Sequence, residues 1–570
     1  MKHCPECNRN YADPTLSFCL QDGAPLIYGS ATEEPSTAIL HSSDASGEAP
    51  TRAQIHATAR SDVSPIKSGE GFPGLRDRNK KKVIAAGVLT IVALGAFFGY
   101  RYFYSATQSQ IESIAVLPFE NRSGNADTDY LSDGLSDSLI YRLTQLPNLK
   151  VSPTSSVIRY KGKQADVAEI AKELEVDAVM SGKLAQRGDD LTINVELVDT
   201  RTKKLIWAEQ YERKMSDLLA TQREIATAIA DKLQLRLLGD QARGITKKYT
   251  DNNEAYQLYL KGSYHFAKRT KDDMQRGREY FQQAVRLDPN FALAYATIAD
   301  YYNQMSFYPY LSSKEAFPQA KVAAQRALEI DPTLPEAHTA LANYFAVYDL
   351  NWAEAEREYK RAIELDPNNS AAHFRYGQQY LAPLGRYDEA ITELKRALEL
   401  EPLSLNTSAN LAQVYMYAGQ NDQALEQARK TYDLEPNFPV ARHYLGLAYI
   451  ANGMYAEAIA LSEKALQNDP TSQLVLRIAG CSYAKSGRRP EAEEVIKKFK
   501  EIAKTQYVMS YFVANIYASL GDKEKAFAEL EKTFAERDFS RQRLKVDPLM
   551  VPLRDDPRYK DLLKRLGLPE

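Results

Sequence analysis

Residues 353–367 read AEAEREYKRAIELDP and residues 388–402 read DEAITELKRALELEP, two copies of one amphipathic helix set 35 residues apart. Ala355 and Ala390 hold the same place in each copy. Stepping outward finds that place again at Ala320, Ala424, Ala458, Ala492 and Ala526, at intervals of 34 or 35 residues. Pro332, Pro367, Pro402, Pro436 and Pro470 stand 12 residues after the first five alanines, where a helix must stop because proline has no N–H to extend it. Gly385, Gly419, Gly453, Gly487 and Gly521 precede the second helix of their units and mark tight turns. Small residues at Ala284, Ala327, Ala362, Ala397 and Ala465 let neighbouring helices approach closely. Gly277 and Pro289 supply an earlier copy, and the longer gap up to Ala320 holds an insertion near 306–313.

A 34-residue period of paired helices is that of the tetratricopeptide repeat (TPR). The stretch 253–540 is accordingly identified as a TPR array of eight helix pairs, with 541–570 as a capping helix whose starts are marked by Asp547-Pro548 and Asp556-Pro557. The first helix of each pair lines the concave wall, which places Asp300, Asn343, Gln378, Gln413, Leu447, Cys481 and Asn515 along a groove. Phe374, His443, Arg477 and Tyr511 lie one turn earlier and are expected to hold side chains or a carboxylate of a bound peptide. Carboxamides suit an extended backbone because they both donate and accept. The alternative at any one position is a polar residue that only solvates the wall. Ala296, Thr339, Phe374, Ala409 and His443 occupy places where lysines would hold a chaperone tail, so that ligand is not carried over. Cys481 reads as a packing residue rather than a reactive thiol.

Between 110 and 240 the hydrophobic period alternates between strand and helix. SIAVLPF (113–119) is a buried strand; the next helix carries Leu131, Leu135, Leu139, Ile140 and Leu143 on one face. LKVSPT predicts a second strand, and 166–174 a second helix. AVMSGKLAQ, LTINVELVD and KLIWAEQYER predict three successive strands, and 217–233 a closing helix. This order predicts a mixed sheet covered by helices. Asp129, Asp133 and Asp137 recur at every fourth residue without a neighbouring His or Lys, which fits a solvated helix face better than a metal site.

IAVLPFEN (114–121), YLSDGLSDSL (130–139), SSVIRYKGK (155–163) and LIWAEQYER (205–213) together resemble the TolB-like amino-terminal domain that precedes TPR arrays in many bacterial proteins. The resemblance implies a non-catalytic α/β module of the cell envelope or of signalling proteins. The closing segment also resembles that of TolB-like proteins with repeats. Relatives carry a kinase or winged-helix domain ahead of the membrane helix; here a cysteine-bearing segment takes that place.

VIAAGVLTIVALGAFFGY (83–100) has no charge and, extended to 104, is long enough to span a lipid bilayer. Arg76, Arg78, Lys80, Lys81 and Lys82 crowd its amino-terminal side, so the positive-inside rule predicts a cytoplasmic amino terminus and an extracytoplasmic, periplasmic 105–570. Residues 29–82 are poor in large apolar side chains and read as a tether with a basic juxtamembrane end. Residues 1–28 hold Cys4-x-x-Cys7 and Cys19-x-x-Asp22, which resembles a minimal zinc ribbon with Asp22 in place of the fourth cysteine. Zinc would supply the folding free energy that so short a segment lacks. His3 or water are the other candidates for the fourth ligand, and three free thiols are the alternative to a metal.

The 570 residues carry 72 Lys and Arg against 75 Asp and Glu, so no global positive charge draws the chain to nucleic acid. Residues 1–28 add only Lys2 and Arg9 as firm cations, too few to neutralise many phosphates, and nucleic acid is not an expected partner. The expected architecture is multidomain: zinc ribbon, transmembrane helix, α/β domain and all-α TPR superhelix. The expected function is a membrane-anchored, non-enzymatic scaffold binding a protein or peptide in the TPR groove. The alternative is a transmembrane signalling protein that reports groove occupancy to the cytoplasmic knuckle; a third reading is an enzyme with its site in the α/β domain.

Overall fold

The computed structural model describes strands at 2–3, 10–11 and 27–28, and residues 111–568 apart from 147, 164–165, 234, 236–243 and 308–309. The chain divides into two units, 1–97 and 98–570. In the first, β1 (Lys2–His3) pairs antiparallel with both β2 (Asn10–Tyr11) and β3 (Ile27–Tyr28). Cys4, Cys7, Cys19 and Asp22 lie outside the described residues, as do the tether and the apolar stretch 83–104. Among the described residues no helix is long and apolar enough to cross a membrane.

The second unit opens with a mixed sheet of order β6-β4-β7-β8-β9, built from β4 (Ser113–Val116), β6 (Lys150–Val151), β7 (Ala178–Arg187), β8 (Asp190–Asp199) and β9 (Lys204–Lys214). The two-residue β5 (Glu120–Asn121) pairs with β7. β4 runs parallel to β6 and β7, while β7, β8 and β9 form an antiparallel meander with Ala178 opposite Asp199 and Asp190 opposite Lys214. The period-two alternation of β8 buries Leu191, Ile193, Val195 and Leu197 on one face. Helices α1 (Asp129–Thr144), α2 (Val167–Leu174) and α3 (Leu218–Lys232) complete the domain. Asp166 caps α2, its carboxylate accepting from the Ala168 N–H at 3.0 Å. The expected strand LKVSPT shrinks to Lys150–Val151, because Pro153 cannot donate to a ladder and opens a short helical turn at Thr154–Val157.

Eight helix pairs follow among the described residues: α4 (Asn253–Ala267) with α5 (Lys271–Leu287), α6 (Ala292–Phe307) with α7 (Ser313–Ile330), α8 (Pro335–Tyr344) with α9 (Trp352–Leu365), and α10 (Ser370–Arg375) with α11 (Tyr387–Leu400). The last four are α12 (Leu405–Tyr417) with α13 (Asn421–Leu434), α14 (Pro439–Ala451) with α15 (Tyr455–Asn468), α16 (Gln473–Lys485) with α17 (Arg489–Ile502), and α18 (Ser510–Ser519) with α19 (Lys523–Ala535). The seven aligned alanines are all fully buried. The turn glycines adopt φ between +73° and +81°, the left-handed region that closes a helix without a Cβ clash. α8 and α10 continue into π-helical turns at Phe345–Asp349 and Tyr376–Leu381, which widen the backbone and release it from regular i→i−4 bonding.

The α/β domain and the first repeats share one apolar core, in which Leu135 and Leu139 join Tyr256, Leu260 and Phe291. α1 approaches α4 so closely that a Cβ on Gly134 would lie 2.8 Å from Leu260 Cδ2. Arg142, fully buried, donates from Nη1 to the carbonyls of Ile245 (2.8 Å) and Lys247 (2.9 Å) and stacks on Tyr249. Its fork therefore clamps the connector between the two domains.

After α19 the chain turns back. Two 3₁₀ turns, Phe539–Arg543 and Pro548–Leu553, precede α20 (Pro557–Arg565). α20 dresses the last pair, with Arg558 on Glu524 and Arg565 on Glu531, as a cap should. It also reaches far back along the chain, the Trp352 indole donating to the Leu566 carbonyl at 2.9 Å.

Candidate functional site: the inner wall and the return segment

The expected open groove is corrected by the structure over most of its length. Asn343, Gln378, Gln413, His443, Arg477, Tyr511 and Asn515 are all buried, and several of them hold the chain's own residues 538–553. The physical reason is that a concave wall of polar side chains needs partners, and a segment tethered to the array supplies them at high effective concentration.

Asp547 is the centre of this contact. One carboxylate oxygen caps the second 3₁₀ turn, accepting from the Leu549 N–H at 2.9 Å. The other accepts from Arg477 Nη2 (2.9 Å), from the Tyr511 hydroxyl (3.0 Å) and, at 3.4 Å, from Asn515 Nδ2. Three predicted wall residues thus converge on one carboxylate. His443 stands beside them: its Nδ1 donates to the Leu474 carbonyl at 3.2 Å and its Nε2 faces Arg477 Nη1 at 3.4 Å. Burial, and then the neighbouring guanidinium, hold its pKa well below the usual histidine range, so it is neutral here.

Gln378 and Gln413 face each other within the wall instead of a foreign backbone. Gln378 Nε2 donates to Asn410 Oδ1 (2.9 Å) and Gln413 Oε1 (3.3 Å); Gln413 Nε2 donates to the Tyr417 hydroxyl (2.6 Å). Asn343 is fully buried with Nδ2 unpartnered. Cys481 is a buried free thiol that burial pushes up to about 11, consistent with packing. Asp300 and Phe374 alone among the predicted wall residues keep a partly exposed surface; Asp300 pairs with Arg375 Nη2 at 2.9 Å.

Spacing did not single out Phe307, Ser313, Tyr348 and Gln379, which position the return segment. Arg541 Nη2 donates to the Tyr348 carbonyl at 2.6 Å, and Gln542 Nε2 donates to Gln379 Oε1 at 2.5 Å. Both acceptors lie in the π-helical turns, Tyr348 in 345–349 and Gln379 in 376–381. Phe539 stacks edge-on against Phe307 with centroids 4.8 Å apart, and its N–H donates to Ser313 Oγ at 3.2 Å. The breaks in α8 and α10 are therefore local signals of a contact that a regular repeat would not make.

The aspartates of α1 are not an isolated solvated face. Lys161 arrives from the loop after β6, its ammonium 2.7 Å from Asp133 and 3.9 Å from Asp129. Asp137 turns toward Thr154, which donates to it at 2.7 Å, and burial raises its carboxyl to about 7. Among the described residues no cluster of three or more ligating side chains suits a metal ion.

Residues 358–392 and 410–472 match family models described as tetratricopeptide repeat. These are tetratricopeptide repeats. Residues 109–228 match the model described as HilA/YgeH-like transcriptional regulator, second domain. The chain is 30% identical over 236 residues to a Rhizobium meliloti (strain 1021) protein named "Putative adenylate cyclase 3", a match covering 40% of this chain and 39% of that one. It is 26% identical over 239 residues to the transcriptional regulator HilA of Salmonella typhimurium, covering 41% of each. The chain thus spans about two fifths of the length of the curated relatives it matches. Among solved structures, Pseudomonas aeruginosa PilF is 25% identical with a TM-score of 0.29, over 37% of this chain and 95% of that one. PilW, a type IV pilus biogenesis factor, is 20% identical with a TM-score of 0.32, over 39% of this chain and 97% of that one.

Proposed function

We propose that the protein is a non-enzymatic scaffold, anchored in a lipid bilayer by 83–104, whose TPR superhelix holds a protein or peptide partner on its inner wall. The observation that carries this reading is the Asp547 contact: a wall that already holds one carboxylate of a polypeptide segment through Arg477, Tyr511 and Asn515 has the chemistry of a peptide-binding surface. The partly exposed Asp300, Arg375 and Phe374 are where a second polypeptide would begin to engage.

A photo-crosslinking residue placed at Asp300 or Phe374 in the full chain, in its native membrane, tests the reading. Crosslinks to a discrete second polypeptide at either position are expected; none at both positions would discard the inner-wall version. The zinc reading of Cys4, Cys7, Cys19 and Asp22 is supported by the antiparallel pairing of β1, β2 and β3 around these residues in sequence. Metal analysis of the purified chain should then find one zinc, lost with Cys4→Ser plus Cys7→Ser.

The relatives favour the signalling alternative in one respect. One is named a cyclase and the other a transcriptional regulator, and each shares a stretch of similar length with this chain. A shared regulatory module serving unlike outputs accounts for that. Here it would lie outside the cytoplasm and report across the membrane to the knuckle, with no role for nucleic acid. Reporter fusions placing residue 570 in the same compartment as Cys4 would remove both readings.

A further inference from the structure

Where the return segment crosses α12, α14 and α16 it leaves a cavity of about 190 Å³ between Asp547–Leu549 and the inner wall. Met416, Leu447, Ile450 and Leu549 give it an apolar body. Its polar lining is one-sided. Arg477 contributes a side chain 4% exposed whose Nε has no hydrogen-bond partner. The Tyr417 oxygen accepts from Gln413 Nε2 at 2.6 Å, which leaves the phenol hydrogen to be donated. Lys485 adds an ammonium at the half-buried edge. The one carboxylate in the lining, Asp547, already accepts from Arg477, Tyr511 and Asn515, and His443 beside it is neutral. Arg543 lies near Tyr417 and Asp547 and adds a further positive charge. Three donors therefore line a largely apolar space with a net positive surround, in which the Tyr455 hydroxyl and Asp547 Oδ1, already accepting from the Leu549 N–H, are further polar atoms.

We infer that this cavity binds a small organic monocarboxylate with an apolar tail, its carboxylate on Arg477, Tyr417 and Lys485 and its tail among Met416, Leu447 and Leu549. A volume of about 190 Å³ is about six water volumes, below the range of drug-sized ligands and suited to a short-chain or single-ring acid. Because Asp547, Pro548 and Leu549 form one wall, an occupant also fastens the return segment to the array. The inference does not rest on the scaffold reading.

Hexanoate and benzoate, with hexanol and hexylamine as controls, test it by thermal shift and calorimetry on the purified full chain. The acids should raise the melting temperature saturably, as a ligand that binds only the folded state must, and the controls at equal concentration should not. Lys485→Gln should weaken hexanoate about three- to fivefold, the scale of one partly exposed charge. Ala451→Phe, which fills the cavity from its α14 side, should abolish the response while leaving the far-ultraviolet spectrum unchanged. Equal shifts with hexanol, no shift with either acid at millimolar concentration, or binding indifferent to both substitutions would each overturn the inference.

Discussion

Arg477 Nη2 lies 2.9 Å from Asp547 Oδ2 with both side chains 4% exposed, an ion pair sealed between residues 70 positions apart. It joins an inner-wall helix to the segment that follows the last repeat. A buried pair of this kind does not by itself argue for high stability, since desolvating two ions offsets much of their attraction. It does make the position intolerant of losing one partner.

Asp547→Ala and Arg477→Ala should therefore each lower unfolding free energy by about 3–5 kcal/mol, because each leaves an uncompensated buried charge. The double variant Arg477→Met with Asp547→Leu should cost less than either single change. Urea titration followed by circular dichroism checks the order; a double variant weaker than both singles would contradict the account.

Trp352 offers an optical report on the closing helix. Its indole donates to the Leu566 carbonyl and packs near Gly567. In a Trp207→Phe background, truncation after Asp556 should shift Trp352 emission to longer wavelength and lower the melting temperature. Unchanged emission would show that α20 does not cover the indole in solution.

Burial raises Asp137 and Glu336 to about 7 and Asp366 to about 6, near the contact of the α/β domain with the repeats. Acids with raised folded-state pKa values make the native state bind more protons than the unfolded chain above about pH 4. Their contribution is therefore greatest at the acid end, declines from about pH 4 to about 7, and is flat above. Glu358 and Asp331, lowered by His338 with Arg357 and by Lys247 respectively against their own desolvation, act oppositely and lose their contribution below the ordinary carboxylate range. Urea midpoints should fall between pH 5.5 and about 7.5, and Glu336→Gln should flatten that fall while keeping the Tyr141 contact. A Glu336→Gln profile parallel to the parent would refute this assignment.

Two glycines should respond differently to alanine. A Cβ on Gly277 would meet the Gly262 carbonyl oxygen at 2.8 Å, a backbone atom that cannot step aside. One on Gly446 would meet Ile478 Cδ1 and Cγ2, both at 2.7 Å, side-chain atoms that a turn about χ1 can carry away where a backbone oxygen cannot move. Gly277→Ala should cost about 1–3 kcal/mol by overpacking, and Gly446→Ala clearly less. Paired thermal melts decide between them.

The repeats were legible because period is a property of spacing alone: Ala355, Ala390 and their equivalents had to be small wherever two helices touch. The sheet was legible from alternation in LTINVELVD and from the apolar run of SIAVLPF, while Pro153 cut short a strand that hydrophobicity alone would have extended. The wall positions could be read as positions, but not what faces them. Nothing in the spacing of Arg477, Tyr511 and Asn515 tells a polar residue that awaits a partner from one that already holds Asp547. Lys161 was missed for the same reason, its approach to Asp133 being set by a loop and not by a helical period. The π-helical turns at 345–349 and 376–381 carry no motif, and they are where Arg541 and Gln542 attach.

Stacked repeats ordinarily touch only their neighbours, so they melt in stages and stretch like a spring. Here Phe539 reaches Ser313 and Trp352 reaches Leu566, across 226 and 214 residues of chain. Stitching the far end to the near end turns an extensible coil into a buckled belt. Such an object must gain or lose its shape all at once, and force applied at one rim is felt as torsion at the other.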